Sequence, residues 1–150
     1  MNWSDFRNHL VETFSTLFST VTLFSLAATS AVAVIAGPFG TYETMSLATR
    51  TTYWGLAISI GLLVAYLSRA TMATLFGERR PLLFDLGASL MVSTIMAPLI
   101  WGLRAWLDPV LDLQHLSLPS IALNIFVIAV GIFVLRRQIG LEKPAGYRGI

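Results

Sequence analysis

The sequence predicts an all-α, polytopic membrane protein with four transmembrane helices. Of its 150 residues, 55% are hydrophobic and only 12% are charged, which is about half the charged fraction of a soluble domain. The mean hydropathy is +0.72, and the apolar residues fall into four runs of about the 20 residues that a helix needs to cross a bilayer. The chain has no cysteine, so disulfide frameworks and Cys-ligated metal centres are excluded.

The N-terminal segment, residues 1–14, has the pattern of a short amphipathic helix lying in the membrane interface. Its aromatic and aliphatic residues form one stripe, and its charged residues lie off that stripe: Trp3, Phe6, Leu10 and Phe14 against Asp5, Arg7 and Glu12. We expect residues 15–140 to form the four-helix transmembrane domain and residues 141–150 to form a linker or tail.

The four spans are predicted at residues 16–36, 53–76, 82–103 and 119–135. Gly37-Pro38 ends the first span, and Asp5 and Glu12 before it argue against a signal peptide, which would begin with a positively charged region. Pro119 suits the first turn of the fourth span, which ends before Arg136-Arg137.

The distribution of Lys and Arg predicts that both termini are cytoplasmic. Basic residues in short loops stay on the cytoplasmic side. Only Arg50 and Arg104 fall on the opposite side, whereas the other side carries Arg7, Arg79, Arg80, Arg136, Arg137, Lys143 and Arg148.

Two outside loops are predicted, at residues 37–52 and 105–119, and the second has the pattern of a short interfacial helix. Asp108, Asp112 and His115 follow one another at i, i+4 and i+7, so they share a helical face that could bind a divalent metal ion. A solvated polar face is the commoner explanation of such a pattern, and we predict no metal site and no cofactor.

Arg69 and Asp85 are charges inside predicted spans, and we expect them to form an intramembrane ion pair. The short turn at residues 77–81 makes the second and third spans antiparallel neighbours. Each charge continues a stripe of small residues at i+4 spacing, the kind of face on which membrane helices approach closely: Ala57, Gly61, Ala65 and Ala73 with Arg69, and Ser89, Ser93 and Ala97 with Asp85. A proton or ion relay is the alternative role.

Other polar residues define two further candidate sites. Glu43, Arg50, Asp108 and His115 could form an outside rim that senses a ligand, although Glu43 and Arg50 could also simply pair or be solvated. Asn124 is the strongly polar residue within the fourth span and is expected to form an interhelical hydrogen bond.

The sequence favours no enzymatic activity. It contains no GxSxG, HExxH, P-loop or GxGxxG motif. Its two histidines, His9 and His115, fall on opposite sides of the membrane in the predicted topology and so cannot share a site.

One loop resembles a known family. Residues 37–43, followed by Leu47, Arg50 and Tyr53-Trp54, are similar to the first outside loop of alphaproteobacterial regulators in which a four-helix membrane region precedes a cytoplasmic LytTR-type DNA-binding domain. The resemblance covers this loop in motif and residues 15–140 in architecture, and the chain itself contains no LytTR domain. It implies a bacterial inner-membrane protein whose DNA-contacting residues would lie beyond Ile150, with residues 142–150 as the linker.

We therefore expect a membrane anchor that senses a signal and regulates transcription through a cytoplasmic effector domain of the LytTR type. A small transporter or channel using Arg69 and Asp85, or a scaffold subunit of a membrane complex, is the alternative. The expected partners are the lipid bilayer and a second copy or another membrane protein, since small-residue faces favour helix association.

Overall fold

The computed structural model describes residues 2–15, 20–36, 41–76, 80–107 and 117–138. Every element in these ranges is an α-helix, and they contain no β-strand, which confirms the all-α prediction. The helices are α1 (Trp3–Phe14), α2 (Thr20–Ala36), α3 (Thr41–Thr44), α4 (Leu47–Phe76), α5 (Pro81–Leu107) and α6 (Leu118–Gln138).

Three of these helices are long and apolar enough to cross a membrane: α4, α5 and the Leu118–Leu135 part of α6. At about 1.5 Å per residue, α4 and α5 each exceed the roughly 30 Å of a hydrocarbon core. The chain is therefore a membrane-embedded protein. The helix α2, which falls in the predicted first span, is apolar but has 17 residues and is not among the three.

Local capping explains where the long helices begin. The helix α4 starts at Leu47, ahead of the predicted Tyr53, because the Ser46 hydroxyl accepts a hydrogen bond from the Thr49 backbone N–H at 3.2 Å. Ser117 occupies the corresponding position before α6, and Pro119 lies in the first turn of that helix as predicted. The helix α5 continues through Pro98 and ends at Leu107.

The core lies around α5, which packs against α4 on one side and α6 on the other. Buried apolar side chains from all three helices form one cluster: Val64, Met72, Ala73, Phe84, Ala88, Val92, Met96, Ala129 and Phe133. Many of the remaining large apolar side chains of these helices are exposed, such as Leu90, Leu123 and Leu135. Apolar outer surfaces are what a bilayer environment requires of membrane-spanning helices.

The helices α1 and α2 pack against α4. The Phe14 ring lies edge-on to Tyr66, with centroids 5.5 Å apart, and the Tyr66 hydroxyl is hydrogen-bonded to that of Thr22 at 3.4 Å. After α2 ends, the Thr41 hydroxyl accepts a hydrogen bond from Trp54 Nε1 at 3.1 Å. Since the chain meets Tyr66 first and Trp54 later, α2 runs antiparallel to α4.

The three-helix core has two ends, which differ in the helix termini that they contain. The junction end contains the end of α4, the start of α5 and the end of α6, near Arg69, Phe84 and Phe133. The cavity end contains the start of α4, the end of α5 and the start of α6, near Trp54, Arg104 and Ser120. The predicted interfacial helix around Asp112 and the tail at residues 141–150 lie outside the described residues.

Candidate functional site

Four charged side chains are buried within α4 and α5: Arg50, Arg69, Asp85 and Arg104. Ionisable residues within membrane helices are rare and often functional. Each of the four engages at least one neighbouring group through a polar, ring or electrostatic interaction. They divide between the two ends, with Arg69 and Asp85 at the junction end and Arg50 and Arg104 at the cavity end.

At the junction end, the Arg69 guanidinium lies between two aromatic rings. Its Cζ is 5.8 Å from the ring centroid of Phe84 on α5 and 5.7 Å from that of Phe133 on α6. Both distances are within the range of a cation–π interaction, which strengthens when the cation is desolvated. Arg69 thus links all three helices of the core.

Asp85 is buried beside Phe84 on α5, the helix adjacent to that of Arg69. Ser89 continues the same face, and its hydroxyl donates to the Asp85 backbone carbonyl oxygen at 2.7 Å. Most of the two predicted small-residue stripes is buried, including Ser89, Ser93 and Ala97 on α5 and Ala57 and Ala73 on α4. The packing of α4 on α5 brings the two charged residues to the same end, and their ion pair stays a prediction.

At the cavity end, a cavity of about 380 Å³ lies between α4, α5 and α6. This volume is within the range of small-molecule binding sites. Asn124 belongs to this lining and is exposed, so it faces the cavity, and the interhelical hydrogen bond expected of it stays a prediction. The cavity is lined by Tyr53, Trp54, Ile100, Arg104, Ser117, Ser120, Ile121, Asn124, Ile125 and Ile128.

Arg104 is the residue of this site that sequence reasoning missed, since it was assigned only to the outside loop region. The structure buries it near the end of α5 and places it in the cavity wall. The signal was present in the spacing. Arg104 follows Ala97 by seven residues, or about two helical turns, so it continues the face on which Ala97 is buried.

The predicted outside rim is described only in part. Glu43 is exposed on the short helix α3, whereas Arg50 is buried on α4. Asp108 and His115 lie outside the described residues, and with them the metal-binding alternative. The structure adds Thr41, fully buried, whose bond to Trp54 attaches α3 to the helix that lines the cavity.

The two charged groups are separated by an apolar layer. Along α5, about 16 Å of helix separates Ser93 from Arg104, and the buried residues on that stretch are Met96 and Ala97. Val64 of α4 and Ala129 of α6 belong to the same buried apolar cluster as Met96. Among the described residues of these helices, no buried charged side chain connects the two ends.

Comparisons with protein-family models, with curated proteins and with solved structures find no significant match to this chain.

Proposed function

We propose that this chain is the membrane-embedded regulatory domain of a cytoplasmic effector in a bacterial inner membrane. In this proposal α2 is a fourth span and both termini are cytoplasmic, as the distribution of basic residues favours. One observation carries the regulatory part. The helix α6 lines the cavity through Asn124 and contacts the Arg69 guanidinium through Phe133, so a single helix adjoins both sites.

The mechanism follows from this arrangement. A molecule that enters the cavity binds against α5 and α6 and favours one position of α6 over another, provided that it binds the two positions with different affinity. Because Phe133 lies on Arg69, a shift of α6 changes the junction end as well. Beyond Gln138 the sequence continues into the segment that would connect to the effector.

The resemblance of residues 37–54 to the LytTR-type regulators suggests that the effector controls transcription. In that case the nucleic-acid contacts belong to a domain beyond Ile150. The chain itself supplies the anchor and the sensory input, including Glu43 and Arg50 at the cavity end.

The topology can be tested by labelling single cysteines, since the chain has none of its own. Ser4, Ser46, Arg80 and Ser117 are all exposed in the structure and are suited to substitution. We expect a membrane-impermeant maleimide to label Ser46→Cys and Ser117→Cys in intact cells, and Ser4→Cys and Arg80→Cys only after permeabilisation. Labelling of Ser4→Cys and Ser46→Cys from the same side would refute the fourth span.

The regulatory function can be tested by filling the cavity in cells of the native host. Ile128 lines the cavity, whereas the neighbouring Val127 is exposed and does not. We expect Ile128→Phe to change the transcript profile at an unchanged membrane level of the protein and Val127→Phe to leave it unchanged. Identical transcript profiles in both variants and the wild type would contradict the proposal.

Transport is the second candidate, because Arg69 and Asp85 are buried charges within membrane helices. It would require proton or solute flux in liposomes that Asp85→Asn abolishes. Among the described residues, no buried charged side chain lies in the apolar layer around Met96 between the two ends, which favours regulation. A scaffold role would instead be recognised by copurification of a stable membrane partner.

A further inference from the structure

We infer that the cavity binds an acyl lipid that carries an anionic headgroup. The inference deepens the proposed function, because it names the class of molecule that the regulatory site would sense, and its regulatory meaning rests on that proposal. The binding itself depends only on the composition of the cavity and on its position in a membrane-embedded protein.

The cavity is polar at one end and apolar at the other. Arg104 lies close to the end of α5, and Ser117 and Ser120 lie at the start of α6, so their polar groups meet at the cavity end of the core. Ile121, Ile125 and Ile128 follow along α6 toward the junction end, and Ile100 lies one turn deeper on α5 than Arg104. The lining therefore matches an amphiphile whose headgroup lies near Arg104.

The length of the lining suits an acyl chain. From Ser117 to Ile128 the wall of α6 extends for about 16 Å at about 1.5 Å per residue. Asn124 and Ile128 are exposed, so the cavity is open along α6, a helix long and apolar enough to cross a membrane. The molecules available to such an opening are the lipids of the bilayer.

The charge of Arg104 selects an anionic headgroup. The side chain is 7% exposed, and the remaining polar groups of the lining are neutral. A guanidinium has five N–H donors in a planar fork that matches phosphate and carboxylate oxygens, so it can hold a headgroup in addition to a protein neighbour. Hydrogen bonds of this kind are shorter and stronger than neutral ones.

Trp54 is a natural probe for binding because it lines the cavity. A variant in which Trp3, Trp101 and Trp106 are replaced by Phe retains Trp54 as the single tryptophan. The full chain is reconstituted in phosphatidylcholine nanodiscs, and quenching of Trp54 is measured with dibrominated phosphatidylglycerol or dibrominated phosphatidylcholine of identical chains. A second arm compares dibromostearate with its methyl ester, which distinguishes a phospholipid from a free fatty acid.

We expect about a tenfold preference for the anionic member of at least one pair, because the quaternary ammonium of phosphatidylcholine offsets the attraction between its phosphate and Arg104, and the methyl ester of stearate carries no charge. Arg104→Gln should abolish that preference. Arg80→Gln is the control for the loss of one positive charge, because Arg80 is exposed at the junction end and does not line the cavity, and it should retain the preference. The pair that shows the preference identifies the source of the lipid.

Two results would overturn the inference: equal quenching by the charged and neutral members of both pairs, or a preference that Arg104→Gln leaves intact. If Arg104→Gln does not fold, Ile128→Phe provides the test, since it fills the cavity and should lower quenching several-fold relative to Val127→Phe. A purified chain without effector is used throughout. If the purified chain shows the lipid preference but Ile128→Phe leaves the transcript profile in cells unchanged, the regulatory proposal is refuted and the lipid-binding site is retained.

Discussion

Arg69 and Arg104 are buried to the same degree, each 7% exposed, yet their surroundings differ completely. The Arg69 guanidinium lies over the rings of Phe84 and Phe133 at cation–π distance, and three helices meet around it. Arg104 instead borders a cavity of about 380 Å³. Burial of an arginine in a membrane helix is therefore insufficient to assign its role. The space beside the arginine side chain distinguishes a charge that holds helices together from one that can receive a ligand.

The difference predicts separate roles for the two ends. A close-packed end has few alternative arrangements, because core side chains interdigitate, so a shift of one helix there displaces the helices that it contacts. An end that contains a cavity has lost contacts on one side and can accept either a ligand or a shift of the bordering helix. We therefore interpret the junction end as the structural anchor of the bundle and the cavity end as its sensory part.

The largest effect is expected from breaking the predicted Arg69–Asp85 ion pair. Removing one partner leaves the other charge buried, so Arg69→Met and Asp85→Leu should each lower the free energy of unfolding by about 3–5 kcal/mol. The double variant should lose much less unfolding free energy than the sum of the losses in the two single variants. The measurement is a double-mutant cycle in which unfolding by sodium dodecyl sulfate is monitored by circular dichroism.

A conservative control separates the charge from the ring contacts. Arg69→Lys keeps the positive charge but loses the planar group that stacks on Phe84 and Phe133. The free energy of unfolding of Arg69→Lys should lie between those of the wild type and Arg69→Met. Additive losses in the cycle would show that Arg69 and Asp85 do not interact, and the ion-pair prediction would be wrong.

The architecture of the core could be predicted from the sequence because its determinants are local. Hydrophobic runs of membrane length located α4, α5 and α6, and the i+4 stripe from Asp85 through Ser89 located the face of α5 that is buried. The early start of α4 could be predicted less well. The Ser46 cap sets this start, whereas hydropathy places the start of the span after the charged Arg50.

The cavity could not be predicted, because it depends on how three helices are spaced rather than on any one of them. Ile121, Ile125 and Ile128 have the same pattern as a packed helix face, and only the structure shows that α6 borders empty space there. The bond from Trp54 to Thr41 joins residues 13 apart across a helix boundary, and no periodicity encodes it. Contacts of this kind depend on how the helices are arranged in three dimensions.

An intermediate effect is expected from truncating one α6 side chain at each of the two sites, Phe133 beside Arg69 and Ile128 at the inner part of the cavity. Phe133 is buried against Arg69, and Phe133→Ala should lower the free energy of unfolding by about 3 kcal/mol, because removal of the ring leaves a cavity in a packed region. Ile128 is exposed and already borders a cavity, so Ile128→Ala should lower the free energy of unfolding by less than about 1 kcal/mol. Equal losses, measured in the same unfolding assay, would show that the two ends are packed alike.

The smallest effect provides the finest comparison, since one substitution can be made at both ends of α5. A Cβ atom at Gly87, near the junction end, would lie 2.6 Å from Met72 Sδ and 3.6 Å from Phe76 Cε2. The flexible Met72 side chain must therefore move, and Gly87→Ala should lower the free energy of unfolding by about 1 kcal/mol despite the better helix propensity of alanine.

Gly102, near the cavity end of the same helix, has no atom within 4 Å of such a Cβ. Gly102→Ala should consequently raise the free energy of unfolding by up to about 1 kcal/mol, since only the propensity of alanine remains. Opposite signs in one helix would locate the difference between the ends in packing rather than in helix formation. A gain in stability at both positions would mean that Met72 and Phe76 accommodate the added methyl group without cost, and the close packing inferred at Gly87 would be wrong.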